Sequence, residues 1–155
     1  MSKSVLERLK TLFESREIVF SILRHEPVYT SEEAAAVRGA ALSSGAKALI
    51  CKGEKQFVMF VLPADCKLDS KRVRKVYGWR KLRFADRKEL LGLTGLNPGS
   101  IPPFGSLFGL STYCDEKLSA NATINFNIGD NAVSANIRFK DYIKIEQPEV
   151  GNFSE

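Results

Sequence analysis

Four stretches of the 155-residue chain carry side chains that could do chemistry. The first is "SSGAKALICK", which sets Lys47 directly after two serines and a glycine. Strand alternation puts Lys47 on one face with Leu49 and Cys51, and Ala46, Ala48 and Ile50 on the other. A lysine among such small neighbours is open to partial desolvation, which weakens its preference for the charged form and concentrates its field on a bound group. The bland alternative is a lysine whose ammonium snorkels to water, the commoner case for this residue type.

The second is "GLNPGSIPPFGSLFGL", residues 95–110, with three prolines and four glycines among large apolar residues. Prolines set φ and remove donors, while glycines admit unusual φ and close approach. Such a backbone can hold its amides in a concave array that binds a carbonyl oxygen, an ammonium or a hydroxyl. It can equally be an Ω-loop packed by Ile101, Phe104, Leu107 and Phe108.

The third is the basic run from Lys67 to Lys88. It holds ten Lys/Arg against two Asp, whereas the remaining residues hold 13 basic against 16 acidic. The net charge of +5 is therefore concentrated locally, the pattern of a face that docks a polyanion. Tyr77 and Trp79 lie inside the run, and arginine with aromatics is a signature of unstacked nucleic acid. Against this stands a solvated helix face whose aromatics point inward. The fourth is His25 in "LRHEPVYT", the single histidine of the chain. It excludes paired-histidine catalysis and sites that need two histidines; its reading is a residue that stabilises a turn. No GxSxG elbow is present. Cys51, Cys66 and Cys114 lie far apart without a CxxC, so they read as free thiols, not as a metal or redox site.

The elements that must position these residues announce themselves by punctuation. Capping-box spacing at Ser4–Glu7, Thr30–Glu33 and Asp86–Glu89 predicts three helix starts. Gly39 and Gly95 predict two of the stops. A further helix follows Asp69, with Val73, Val76 and Tyr77 inward and Lys71, Arg72, Arg74 and Lys75 outward. Strands are expected over 18–25, 46–52, 56–63, 81–85, 124–129 and 132–139, with hairpins at "KGEK" and "GDN". Interleaved helices and strands make a mixed α/β domain over 1–155, with 148–155 a loose tail. No apolar run approaches the ~20 residues of a membrane span, and the N-terminus lacks a signal peptide's core. A cytoplasmic protein without a membrane partner is the expectation.

The segments "HEPVYTSEEAAAVRG", "GAKALICK", "FVMFVLPADCKLDSKRVRKVYGWRKLRFA", "LLGLTGLNPGSIPPFG" and "FNIGDNAVSANIRFKDYIKIEQP" occur in this order. Together, over about residues 18 to 148, they resemble the YbaK/ProX family of aminoacyl-tRNA editing domains, also called prolyl-tRNA-synthetase-associated domains. The resemblance implies a curved, barrel-like mixed sheet surrounded by helices. It also implies hydrolysis, without metal or cofactor, of the ester that joins a wrong amino acid to the 3′ end of a tRNA. The family's key lysine corresponds to Lys47. Its Gly-x-x-Pro-x-x-Gly substrate loop corresponds to Gly99, Ser100, Ile101, Pro102 and Gly105, and Asn127, Gly129 and Asp130 fall where a later strand lines the same pocket. Lys71, Arg72, Arg74 and Lys75 would meet tRNA. The alanine-specific branch commonly has Asn after the lysine and a His on the later strand, where this chain has Ala48 and Asn127. Serine, threonine, alanine and cysteine esters all stay open as substrates. The expected enzyme is a free-standing deacylase acting in trans or beside an aminoacyl-tRNA synthetase; the alternatives are an inactive tRNA- or synthetase-binding module and an unrelated small-molecule pocket.

Overall fold

Helix starts follow the capping signals in the computed structural model, which describes residues 4–155. Helix α1 (Val5–Ser15) opens at Ser4, whose hydroxyl accepts the Glu7 amide at 3.2 Å. Both halves of the capping box form at Thr30–Glu33, opening α2 (Ser31–Arg38), and at Asp86–Glu89, opening α4 (Arg87–Thr94). Gly39 and Gly95 close these two helices in the left-handed region, which a Cβ would disfavour. Asp69 caps α3 (Ser70–Tyr77). Helix α5 (Phe139–Glu146) was not signalled by the sequence. It begins without a side-chain cap, directly at the end of a strand, and its first turn is held instead by an Arg138–Asp141 ion pair at 2.8 Å.

Six strands fall on the expected stretches to within a few residues: β1 (Phe20–Arg24), β2 (Ala46–Gly53), β3 (Gln56–Pro63), β4 (Leu82–Phe84), β6 (Thr123–Asn127) and β7 (Val133–Arg138). Two more, β5 (Ser111–Asp115) and β8 (Glu149–Gly151), were not foreseen. One sheet runs β1-β7-β6, all antiparallel; the other runs β4-β2-β3-β5-β8, with β3–β5 and β5–β8 parallel. The expected mixed α/β domain with its curved, barrel-like sheet is formed by these two sheets, joined by a parallel bridge between Gly45 and Asn125. Strand β4 pairs only with residues 51–53 of β2, so the first half of β2 is a free edge facing that junction. Lys47 sits on this edge.

Two apolar cores flank the five-stranded sheet. The larger joins α1 (Leu9, Phe13), β3 (Met59, Val61) and β6 (Ile124, Phe126) with Phe104 and Tyr142. The Phe104 ring lies 5.9, 5.6 and 5.2 Å from those of Phe13, Phe126 and Tyr142, and the Tyr142 hydroxyl donates to the Pro103 carbonyl at 2.7 Å. The apolar character of the 95–110 segment is therefore that of a core component. The second core packs Val73 of α3 and Phe153 onto Cys51, Val58, Phe60 and Leu62. Tyr77 and Trp79 join it, with ring centroids 5.0 and 5.9 Å from Tyr113. They are occupied as packing groups, which removes them as a base-stacking platform. Val76 is 55% exposed, not inward as expected, because Val73 and Tyr77 are the i,i+4 pair facing the sheet.

The segment expected to be a loose tail is bound along its length. Strand β8 pairs with β5, Phe153 is fully buried, and its amide donates to the buried Asp115 carboxylate at 2.9 Å. Lys67 and Glu155 exchange backbone hydrogen bonds of 2.7 and 2.8 Å. One buried aromatic plus paired backbone outweighs the polar composition around it. Among the described residues, no helix is long and apolar enough to cross a membrane, and no cluster of three or more His, Cys, Asp or Glu side chains could hold a metal ion.

Candidate active site

At the junction of the two sheets, α2, a 3-10 turn at Leu42–Ser44, the free half of β2, β6 and the start of the Pro/Gly loop enclose a cavity of about 220 Å³. This is smaller than the roughly 300–1,000 Å³ of drug-sized sites. Much of its wall is small: Ala34, Ala35, Gly45, Ala46, Ala48 and Ala64. The Gly45 position is crowded, since a Cβ there would stand 3.0 Å from Ala64 Cβ and 3.3 Å from the Leu42 carbonyl. Ser31, Ser44, Asn125 and Asn127 supply uncharged polar groups, and Lys47 and Arg38 supply the cations. Among the described residues, no carboxylate and no histidine lines the cavity. Tyr29, 78% exposed, stands at its rim.

Lys47 lines the cavity together with Gly99 and Ile101, so the lysine and the head of the loop do share one site. Its ammonium donates to the Cys66 carbonyl at 2.5 Å. Burial pulls its pKa below the ordinary lysine value of 10.5, opposed by the nearby Cys66, Asp65 and Glu32. The lysine is thus partly desolvated and tethered by one bond, with its remaining donors available.

Arg38, absent from the sequence expectation, forms the opposite pole. Its Nε donates to Ser134 Oγ and its Nη2 to Asn127 Oδ1, both at 2.9 Å. Asn127 in turn donates from Nδ2 to the Gly99 carbonyl at 2.7 Å, tying α2, β6 and the loop together. His25 stands behind this group: one ring nitrogen faces the Glu26 carbonyl at 2.7 Å and the other Ser134 Oγ at 2.8 Å. Because the carbonyl only accepts, Nδ1 carries a hydrogen. His25 therefore stabilises the turn, as its sequence position suggested, and also props Ser134. Burial lowers the Arg38 pKa from 12.5 to about 10, and no carboxylate pairs with it among the described residues.

The expected substrate loop contributes less surface than its motif implies. Gly99 and Ile101 reach the cavity; Ser100, Pro102 and Gly105 do not. The Ser100 amide and hydroxyl both donate to the Asn97 carbonyl, the Phe104 amide to the Pro102 carbonyl, and the Gly105 amide to Thr112 Oγ1. Only the Gly99 and Ile101 amides are left without a protein acceptor among the described residues. Gly129 and Asp130 also lie outside the cavity. Gly129, at φ +85°, donates to the Ser100 carbonyl and packs 3.2 Å from Val5 Cβ if given a Cβ, while Asp130 closes the β6–β7 turn by accepting the Ala132 amide. Gly129 thus ties the Pro/Gly loop to the β6–β7 turn that Asp130 closes, and neither lines the cavity.

On α3, Lys71, Arg74 and Lys75 are exposed. Arg72 is committed to its own chain, bonding Asn152 Oδ1 at 3.1 Å and the Ser154 carbonyl at 3.4 Å, with Asp69 at 3.7 Å. The loop that supplies the Cys66 carbonyl to Lys47 leads directly into α3. What sequence reasoning missed is the α2 wall and Arg38. The one available signal was an arginine just before the helix-stopping Gly39, which reads equally as a favourable charge at a helix C-terminus.

The chain is similar to known proteins in sequence and in fold. The sequence model of one family, described as the aminoacyl-tRNA editing domain, matches residues 25–145. Over 152 residues the chain is 35% identical to the multifunctional Ser/Thr-tRNA deacylase ProXp-y of Escherichia coli, spanning 95% of this chain and 91% of that one. It is 26% identical over 143 residues to the prolyl-tRNA editing protein ProX of Acetoanaerobium sticklandii, spanning 88% and 87%. A crystal structure of a candidate trans-editing enzyme for prolyl tRNA synthetase superposes with a TM-score of 0.85 at 24% identity, covering 100% of this chain and 99% of that one, a likeness of fold.

Proposed function

The chain belongs to the aminoacyl-tRNA editing domain family, and from that premise we propose that it is an aminoacyl-tRNA deacylase for small amino acids, serine and threonine foremost. The observation that carries this reading is the composition of the cavity: alanine and glycine walls, hydroxyl and amide groups, two cations and no general base. An aminoacyl ester is already activated, so its hydrolysis needs placement and charge stabilisation more than a strong nucleophile. Water adds to the ester carbonyl, the acyl C–O bond to the ribose breaks, and the ribose oxygen takes a proton. With no carboxylate or histidine in the lining, that proton passes through water or the neighbouring ribose hydroxyl. Lys47 stabilises the oxygen that gains charge, and the Gly99 and Ile101 amides hold the aminoacyl end. The small walls exclude larger side chains, a stronger sieve than apolar affinity, which discriminates by only ~1–3 kcal/mol per methylene. Ser31, Ser44 and Asn125 offer partners to a side-chain hydroxyl, in keeping with the Ser/Thr activity in the name of the Escherichia coli relative. Lys71, Arg74 and Lys75 meet the phosphates of the incoming tRNA, and the near full-length match to that relative supports action in trans.

The test is deacylation of tRNAs charged with serine, threonine, alanine and cysteine. Seryl and threonyl esters are expected to be cleaved fastest. Lys47→Ala should lose about a hundredfold in kcat/KM, the scale of one oxyanion-stabilising group, while tRNA affinity changes little. Full activity in the variant removes Lys47 from the chemistry, and binding without hydrolysis by the wild type reduces the chain to a tRNA-binding module.

A further inference from the structure

We infer that Arg38 is a substrate-binding residue whose free Nη1 takes a negatively charged oxygen of the aminoacylated 3′ end. The inference rests on the deacylase reading and adds to it a second cation with its own role.

Three observations lead there. Arg38 lines the cavity, on the wall made by α2 and the Leu42–Ser44 turn. Its two engaged nitrogens, Nε and Nη2, meet only neutral acceptors, Ser134 Oγ and Asn127 Oδ1, so the guanidinium is oriented without being neutralised. Nη1 has no protein acceptor among the described residues, and none of their buried side-chain nitrogens lacks a partner, so Nη1 is reached by solvent. It stands beside the cavity wall, 3.7 Å from where a Cβ at Gly45 would be, an ordinary van der Waals distance.

A cation withdrawn from water and given no counter-charge is poorly stabilised until an anion arrives. Besides its two neutral acceptors, partial compensation comes from the carbonyl end of α2, whose last residue is Arg38. Lys47 is also partly desolvated but differs in having carboxylates nearby. It has the Cys66 carbonyl as an acceptor, with Asp65 and Glu32 nearby. Of the two cations, Arg38 therefore has the greater unmet demand for negative charge. The rigid fork also suits oxygen ligands better than an ammonium does. An aminoacylated 3′ end offers such oxygen in two places: the phosphodiester before the terminal nucleotide, and the former carbonyl oxygen of the ester once water has added.

The experiment compares the full-length wild type with Arg38→Gln and Arg38→Lys, each checked for an unchanged fold by circular dichroism. Deacylation is measured on seryl-tRNA and on 2′(3′)-O-seryl-adenosine, which has no phosphate, and binding is measured with the trinucleotide CCA. Loss of the charge in Arg38→Gln should lower kcat/KM on seryl-tRNA about 30-fold or more, whereas Arg38→Lys should lose only about fivefold. Lysine cannot serve Ser134 and Asn127 together, so a purely structural role would impair both variants equally; that result overturns the inference, as does full activity in both. A loss confined to seryl-tRNA and CCA binding identifies the phosphate; an equal loss on seryl-adenosine identifies the ester oxygen. A wild type that cleaves neither ester defeats the deacylase reading instead. The CCA titration then decides the arginine alone, and unchanged affinity in Arg38→Gln rejects it.

Discussion

Gly105→Ala separates a residue that lines a site from one that supports it. The Gly105 backbone does not lie in the left-handed region, so the substitution tests space alone. A Cβ there would stand 2.4 Å from Thr112 Oγ1, 3.0 Å from the Leu110 carbonyl and 3.3 Å from Met59 Cβ. Thr112 Oγ1 accepts the Gly105 amide at 3.0 Å and donates to Glu146 Oε2 at 2.6 Å. The same carboxylate accepts the Ser106 amide and hydroxyl at 3.1 and 2.6 Å. One methyl group thus pushes apart a clamp joining the loop, β5 and the end of α5. Overpacking costs about 1–3 kcal/mol, and disturbing hydrogen bonds to a charged acceptor adds about 1.5–3 kcal/mol. A total of about 3–5 kcal/mol should appear as a drop of about 6–20 °C in Tm for a chain of this size. Urea and thermal unfolding measure it. Removing the obstructing hydroxyl with Thr112→Ala should leave the double variant more stable than the two single losses predict, by about 1 kcal/mol or more. At low temperature the folded Gly105→Ala protein should retain kcat/KM within about threefold, since the residue is outside the cavity. A large kinetic loss with unchanged stability would refute this reasoning and return Gly105 to the substrate site.

The α3 face and the thiols give two further tests. Replacing Lys71, Arg74 and Lys75 together with alanine should lower the slope of log K against log salt for tRNA binding by about 2–3, read by titration over a range of salt; Arg72→Ala should mainly lower Tm, because that side chain holds the C-terminal segment. An unchanged slope in the triple variant takes α3 out of the interface. Burial pushes Cys51 and Cys114 from the ordinary 9.0 up to about 12. At pH 8 a thiol reagent should therefore modify one cysteine, Cys66, in the native chain and three after unfolding. Both buried groups hold their protons in the folded state while the unfolded thiols ionise, so stability contributed below pH 9 is lost as pH rises toward 12. Rapid native labelling of two or more thiols would contradict the burial.

Local order was legible from single residues. Asp86 with Glu89 and Thr30 with Glu33 determine helix starts because the bonds they form span three residues. The period of two in "AVSANIRF" identifies a strand for a similar reason. Lys47 could be picked out because its flanking serines, glycine and alanines are adjacent in the chain. Elements without such local marks were missed. Helix α5 has no cap, β5 owes its place to parallel pairing with β3, and β8 is held through Phe153 reaching a core built by residues far away.

The sequence alone determined the helix ends, most of the strands, the basic run and the presence of one lysine in small-residue surroundings, all of which depend on neighbours within a few positions. Only the tertiary structure decided what faces the cavity. It brought Arg38 to Asn127, 89 positions apart, turned Gly105 and Gly129 from lining into support, and drew Trp79 into a core. The physical reason is that closing the cavity requires two sheets to meet at Gly45 and Asn125, and which side chains that contact exposes depends on packing between segments that no local pattern links.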